Sequence, residues 1–136
     1  MKTPILQFGT SRFLQAHADL FISDAMREGQ DLGPVTVVQT TGSADRAGRL
    51  AAFDGRPLPI IVRGLEDGAP VERTEYTTCL VQGFSIAAAW TEVERIFIET
   101  DQVISNTDDS GYQMPPDETL DDDLPVSFPT KLTRLL

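Results

Sequence analysis

One cysteine, one histidine and one tryptophan stand in 136 residues, and basic side chains are outnumbered 11 to 21 by acidic ones. Each shortage closes off a class of function. A lone Cys79 forms no internal disulfide, and a lone His17 has no second histidine with which to hold a metal, so a metal-free, cytoplasmic protein is expected. The formal charge of -10 repels polyanions, which argues against nucleic acid and anionic membranes as partners. No apolar run approaches the roughly 20 residues of a membrane span. "MKTPILQFG" carries one lysine and a short apolar run that stops at a glycine, which reads as the entry to a strand and not as a signal peptide. The acidic excess is partly local, at Asp108-Asp109 and in "DETLDDD" (Asp117 to Asp123). A calcium loop needs oxygens at alternating positions and a glycine at the bend, and this run has neither, so a solvated loop is expected.

What is present suffices for one globular domain. A chain of this length buries roughly two-thirds of its extended surface, enough for a core. "ILQF" (Ile5 to Phe8) is a short apolar strand ended by Gly9. From an N-cap at Ser11, residues Phe13, Leu14, His17, Leu20, Phe21, Ala25 and Met26 fall at helical spacing, and the helix is expected to stop near Gly29. "PVTVVQ" (Pro34 to Gln39) is β-branched without polar alternation, as in a strand buried on both faces. Strand, tight turn, helix and strand within about 35 residues make a βαβ unit.

Further along, "SADRAGRLAAFDG" (Ser43 to Gly55) is a weaker helix, interrupted by Gly48. "PLPIIVRGLEDGAPVERTEYTTCLVQGF" reads as two strands around a hairpin turn at Asp67-Gly68, with Cys79 as a buried strand residue of the second. In "SIAAAWTEVERIFIET", residues Ile86, Ala89, Trp90, Val93, Ile96 and Phe97 share one helical face. "QVISNT" (Gln102 to Thr107) reads as another short inner strand. After an acidic, proline-containing loop, "FPTKLTRLL" starts a helix with Pro129 just inside it and Thr130, Lys131 and Arg134 outward. The sequence then stops on Leu135-Leu136 without a cap or polar tail. This predicts a fragment, whose last helix would meet a second copy of the chain or a missing C-terminal domain. The expected fold is therefore α/β and Rossmann-like: a mostly parallel sheet with helices on both faces, a β-hairpin insertion, and a truncated end.

In such a sheet the first strand-to-helix turn can hold a pyrophosphate on its backbone N–H groups. The G-x-G-x-x-G fingerprint falls here on Gly9, Ser11 and Leu14, so only its first position is kept. An acid for the ribose hydroxyls should follow about 20 residues on, but the second strand ends in Gln39, Thr40 and Thr41, and the first acid is Asp45. Arg46 and Arg49 follow, either as partners of a 2′-phosphate or as exposed helix charges. NAD and NADP both stay open on these residues.

The segment "FGTSRFLQAH" resembles the opening signature of the mannitol dehydrogenase family, G-x-G-x-F-x-R-A-H, through Gly9, Phe13, Ala16 and His17. Ser11 and Gln15 stand where that pattern has glycine and arginine. "IIVRGL" (Ile60 to Leu65), "VISNTDDSGY" (Val103 to Tyr112) and "PVSFPTKLTRLL" (Pro125 to Leu136) are similar to segments of the tagaturonate reductase (altronate oxidoreductase) branch, in the same order. The resemblance implies that residues 1–136 are the N-terminal Rossmann-type portion of an NAD(P)-dependent oxidoreductase of a sugar acid or polyol, with NAD slightly favoured. It places Gly9, Thr10, Ser11, Arg12 and Phe13 at the pyrophosphate, and Ser105, Asn106 and Thr107 near the ribose and nicotinamide; Thr40 and Arg46 complete the expected cofactor set. Lys131 and Arg134 match the branch too and are expected as exposed helix charges. Family members carry a C-terminal helical domain with a lysine general base, so these residues alone are expected to be inactive. A rival reading is a non-catalytic binding or assembly module with a degenerate nucleotide site.

Overall fold

The computed structural model describes residues 4–41, 48–107, 109–121 and 125–136. Four strands form one parallel sheet: β1 (Ile5–Phe8), β2 (Val35–Gln39), β5 (Leu80–Ser85) and β6 (Gln102–Ser105). Its spatial order is β5-β2-β1-β6. Counted among themselves, these strands run 3-2-1-4, the order that opens a Rossmann sheet. Ile5 to Phe8 pair with Val35 to Val38 on one side and with Gln102 to Ser105 on the other. The chain thus leaves β1 in one direction and later returns on its opposite side, which opens a crevice at the carboxyl ends of β1 and β6.

The alternation of side chains along β1 and β2 builds a core on each face of the sheet. Ile5, Val35 and Val37 pack with Ile22, Phe53, Cys79 and Leu80 on one face. Leu6, Phe8 and Val38 pack on the other with Ile86, Val93 and Ile96, backed by Phe128, Leu132 and Leu135. Each such aliphatic side chain contributes about 1.5–3 kcal/mol when fully buried. Ile22 lies on α2 (Ala18–Arg27), Val93 and Ile96 on α3 (Trp90–Ile98), and Phe128, Leu132 and Leu135 on α4 (Phe128–Leu135). Helices on both faces of a parallel sheet are therefore observed, and β2 is buried throughout as expected.

Several local expectations are corrected. The helix that begins at Ser11 is two: α1 (Arg12–Ala16) and α2, broken at His17 with φ -121° and ψ -84°. The break leaves Phe13 60% and Phe21 63% exposed, with the His17 ring stacked on Phe13 at 4.4 Å, instead of both phenylalanines facing the core. The hairpin consists of β3 (Leu58–Glu66) and β4 (Ala69–Thr77), turned by Asp67 and Gly68 at φ 50° and 78°. The alternating run that follows is not one strand. Ser23 Oγ accepts the Thr78 and Cys79 amides at 2.8 and 3.1 Å, which removes them from the ladder, and β5 then joins the parallel sheet beside β2. Cys79 is buried, but in this connection and not within a strand. β6 is an edge strand among the described residues, with Val103 exposed, and not an inner one. In the weak helix after β2, residues 48–50 are helical, whereas Ser43, Asp45 and Arg46 lie outside the described residues, as do Asp108, Asp122 and Asp123. Among the described residues no helix is long and apolar enough to cross a membrane.

Candidate functional site

Gly9 ends β1 by donating its N–H to Val38 O at 2.9 Å, and its φ of 122° is a conformation that residues with a side chain rarely adopt. A Cβ there would lie 3.5 Å from Leu14 Cδ1 and 3.6 Å from Asn106 O, so space is adequate and the backbone angle sets the requirement. Thr10 is buried, and Gln15 Nε2 donates to its carbonyl at 3.3 Å. Ser11 is the N-cap of α1: its Oγ accepts the Leu14 N–H at 3.2 Å. The hydroxyl proton remains available for an oxygen above the turn.

The turn forms one wall of a cleft of about 790 Å³ at the carboxyl ends of the strands. Gly9, Thr10, Ser11 and Thr40 line it on one side, and Ser105, Asn106 and Thr107 on the other. Of the ten residues expected to bind cofactor, these seven come together. Arg12 and Phe13 are exposed on α1 and do not line the cleft, and Arg46 lies outside the described residues. The volume is that of a small-molecule site and the lining is largely polar. Beyond Thr107 a 3₁₀ turn (Asp109–Tyr112) folds back over the cleft. A Cβ on Gly111 would fall 1.6 Å from Thr107 Oγ1, so that turn closes only over a glycine.

α4 closes the far wall and corrects the expectation for its polar residues. Thr130 and Lys131 face inward and are buried. Lys131 Nζ donates to Thr40 O at 2.8 Å, tying α4 to the end of β2. Loss of hydration lowers the pKa of this ammonium, while the carboxylate of Glu118 pulls the other way. Arg134 is half-buried, its guanidinium 5.2 Å from the centre of the Trp90 ring. The signal for Lys131 was in the spacing: 128, 131, 132 and 135 are i, i+3, i+4 and i+7, so the lysine shares the apolar face. Glu118, expected in the solvated loop, instead holds the start of α4, whose N-cap is Ser127. Its Oε1 accepts the Ser127 N–H at 2.8 Å and the Val126 N–H, and its Oε2 accepts the Ser127 hydroxyl and Thr130 Oγ1–H at 3.0 Å. These donors, the Ser127 hydroxyl first, hold its carboxyl below the usual range.

Beneath the turn, Gln7 and Asp19 are fully buried, and Gln7 Nε2 donates to Asp19 Oδ2 at 3.2 Å and to Gly9 O at 3.4 Å. Burial raises the Asp19 carboxyl to about 6. It also lifts the Cys79 thiol to about 11, so that residue is a poor nucleophile.

No protein-family model matches the chain. Curated relatives do. The altronate oxidoreductase of Enterobacter sp. (strain 638) is 33% identical over 135 residues, 97% of this chain and 28% of that protein. That of Klebsiella pneumoniae (strain 342) is 34% identical with the same coverage. The Halalkalibacterium halodurans protein of the same name is 28% identical over 97% of this chain and 26% of its own length. The chain therefore spans little more than a quarter of these relatives. Among solved structures, a D-sorbitol dehydrogenase in substrate-free form matches with a TM-score of 0.73 at 14% identity, over 99% of this chain and 31% of that one. At that identity the likeness speaks for the Rossmann-like fold alone.

Proposed function

We propose, from the premise that this chain corresponds to the N-terminal portion of a mannitol dehydrogenase family member, that its cleft binds a nicotinamide dinucleotide for the oxidoreduction of a sugar acid or polyol. The observation that carries the reading is the position of the cleft, at the reversal of strand order between β1 and β6 and directly above the Gly9 turn. The residues present suit such a ligand. A glycine at φ 122° brings bare backbone to the surface, the Ser11 hydroxyl can donate to a phosphate oxygen, and Lys131 and Arg49 give the cleft positive charge in an acidic protein. A bound nicotinamide would supply the hydride chemistry, and this chain's residues would bind and orient it. The relatives' name, altronate oxidoreductase, supports a sugar-acid substrate of the altronate type. We assign the proton donor for that substrate to the relatives' remaining length, so the 136 residues should bind cofactor without turning over substrate.

Calorimetric titration of the purified chain with NADH and then NADPH tests this. Dissociation constants from micromolar to sub-millimolar, with no hexuronate-dependent oxidation of NADH, are expected. Saturable binding of neither nucleotide would refute cofactor binding, and steady turnover would refute the division of labour.

A further inference from the structure

Lys131 is 6% exposed and sits in the wall of a polar cleft, in a chain of net charge -10. An ammonium has three N–H donors, and among the described residues its Nζ makes one hydrogen bond, to Thr40 O at 2.8 Å. Withdrawing a cation from water is unfavourable unless it meets opposite charge and further acceptors. Glu118 contributes a favourable charge interaction, but its own oxygens are already engaged by Val126, Ser127 and Thr130. The Thr40 carbonyl fixes the ammonium at the carboxyl end of β2. A Rossmann sheet places the adenosine ribose there, and an acid normally waits for its hydroxyls. Here Gln39, Thr40 and Thr41 stand at that strand end, Arg49 lines the cleft beside them, and the ammonium bonded to the strand end itself comes from α4.

We propose that Lys131 is a phosphate-binding residue of the cleft, a cation held by Thr40 O whose remaining donors meet a phosphoryl group of the bound dinucleotide. The inference rests on the dinucleotide reading and adds a residue that neither the glycine turn nor the β6 end supplies. The phosphoryl group has two sources, the pyrophosphate common to NADH and NADPH, and the ribose 2′-phosphate of NADPH alone.

The test compares the wild-type chain with Lys131→Met, which keeps the stem and removes the charge, and with Lys131→Arg, which keeps the charge. Each is titrated calorimetrically with NADH and NADPH. Lys131→Met should weaken binding at least ten-fold, and Lys131→Arg should recover most of it. An equal loss for both nucleotides assigns the pyrophosphate, and a loss for NADPH alone assigns the 2′-phosphate. Unchanged affinity in folded Lys131→Met overturns this inference and leaves the dinucleotide reading standing. Failure of the wild type to bind either nucleotide overturns both. Should Lys131→Met not fold, the wild type decides, because Lys2 and Lys131 are the only lysines. Its Lys131 ¹³Cε resonance should move on saturation with nucleotide, and a stationary resonance overturns the inference.

Discussion

Replacing Asp19 by asparagine should stabilise the protein at neutral pH. Asp19 is fully buried on α2 against Gln7 of β1. Its Oδ2 accepts from Gln7 Nε2, while Asp19 Oδ1 and Gln7 Oε1 are both buried without a partner. Burial disfavours the carboxylate, raising its pKa from 3.8 to about 6. For an acid shifted upward, the folded state keeps its proton while the unfolded chain has lost it, so stability falls as pH rises from 4 to 6 and levels off above. The full gap corresponds to about 3 kcal/mol. An asparagine removes that loss, and its amide offers Gln7 Oε1 the donor that it lacks. Urea or thermal denaturation of both proteins between pH 4 and 8 measures the difference. The variant should gain about 1–3 kcal/mol at pH 7.5, at about 3–5 °C in Tm per kcal/mol for a chain of this length, and the two curves should converge in acid. Parallel pH profiles, or a variant less stable at pH 7.5, would refute the reasoning.

Other substitutions probe the turn and the last helix. Gly9→Ala must hold a side chain at φ 122°, and should cost about 1–3 kcal/mol in urea denaturation and abolish nucleotide binding. Ser11→Ala removes the cap on Leu14 N–H and should cost about 1 kcal/mol, read from the same curves. The Cys79 thiol, raised to about 11, should react with Ellman's reagent only as fast as the protein unfolds; stoichiometric labelling of the native chain within seconds would contradict its burial. Glu118 is held below its usual range, so its contribution is present above that range and is lost as pH falls through it. Glu118→Gln should flatten that acid-limb dependence and speed hydrogen exchange at the Val126 and Ser127 amides, which donate to its carboxylate.

The parallel core was legible because its cause is local. β1 and β2 are short runs dominated by apolar and β-branched residues, broken only by Gln7 and the terminal Gln39, that suit a strand covered on both faces, and Gly9 and Ser11 punctuate the change from strand to helix. What escaped depends on contacts between distant residues. The split of β4 from β5 comes from Ser23, 55 residues before Thr78, accepting two amides, and no turn signal marks it. The outward face of Phe13 and Phe21 follows from a backbone break at His17 that helical spacing does not foresee. In the cleft, the turn and the β6 end were readable from their own residues. The lysine was misplaced because its charge outweighed its spacing, although the i, i+3, i+4, i+7 pattern put it inward. Glu118 was hidden in an acidic run whose other members share its composition and lack its partners.

The central claim is that the crevice between β1 and β6 holds a dinucleotide, and amide chemical-shift mapping with NADH tests it residue by residue. Gly9, Thr10, Ser11, Thr40, Ser105, Asn106 and Thr107 should show the largest concentration-dependent shifts, with the β3–β4 hairpin unmoved. A spectrum unchanged at millimolar NADH, or shifts confined to the hairpin, would contradict the account.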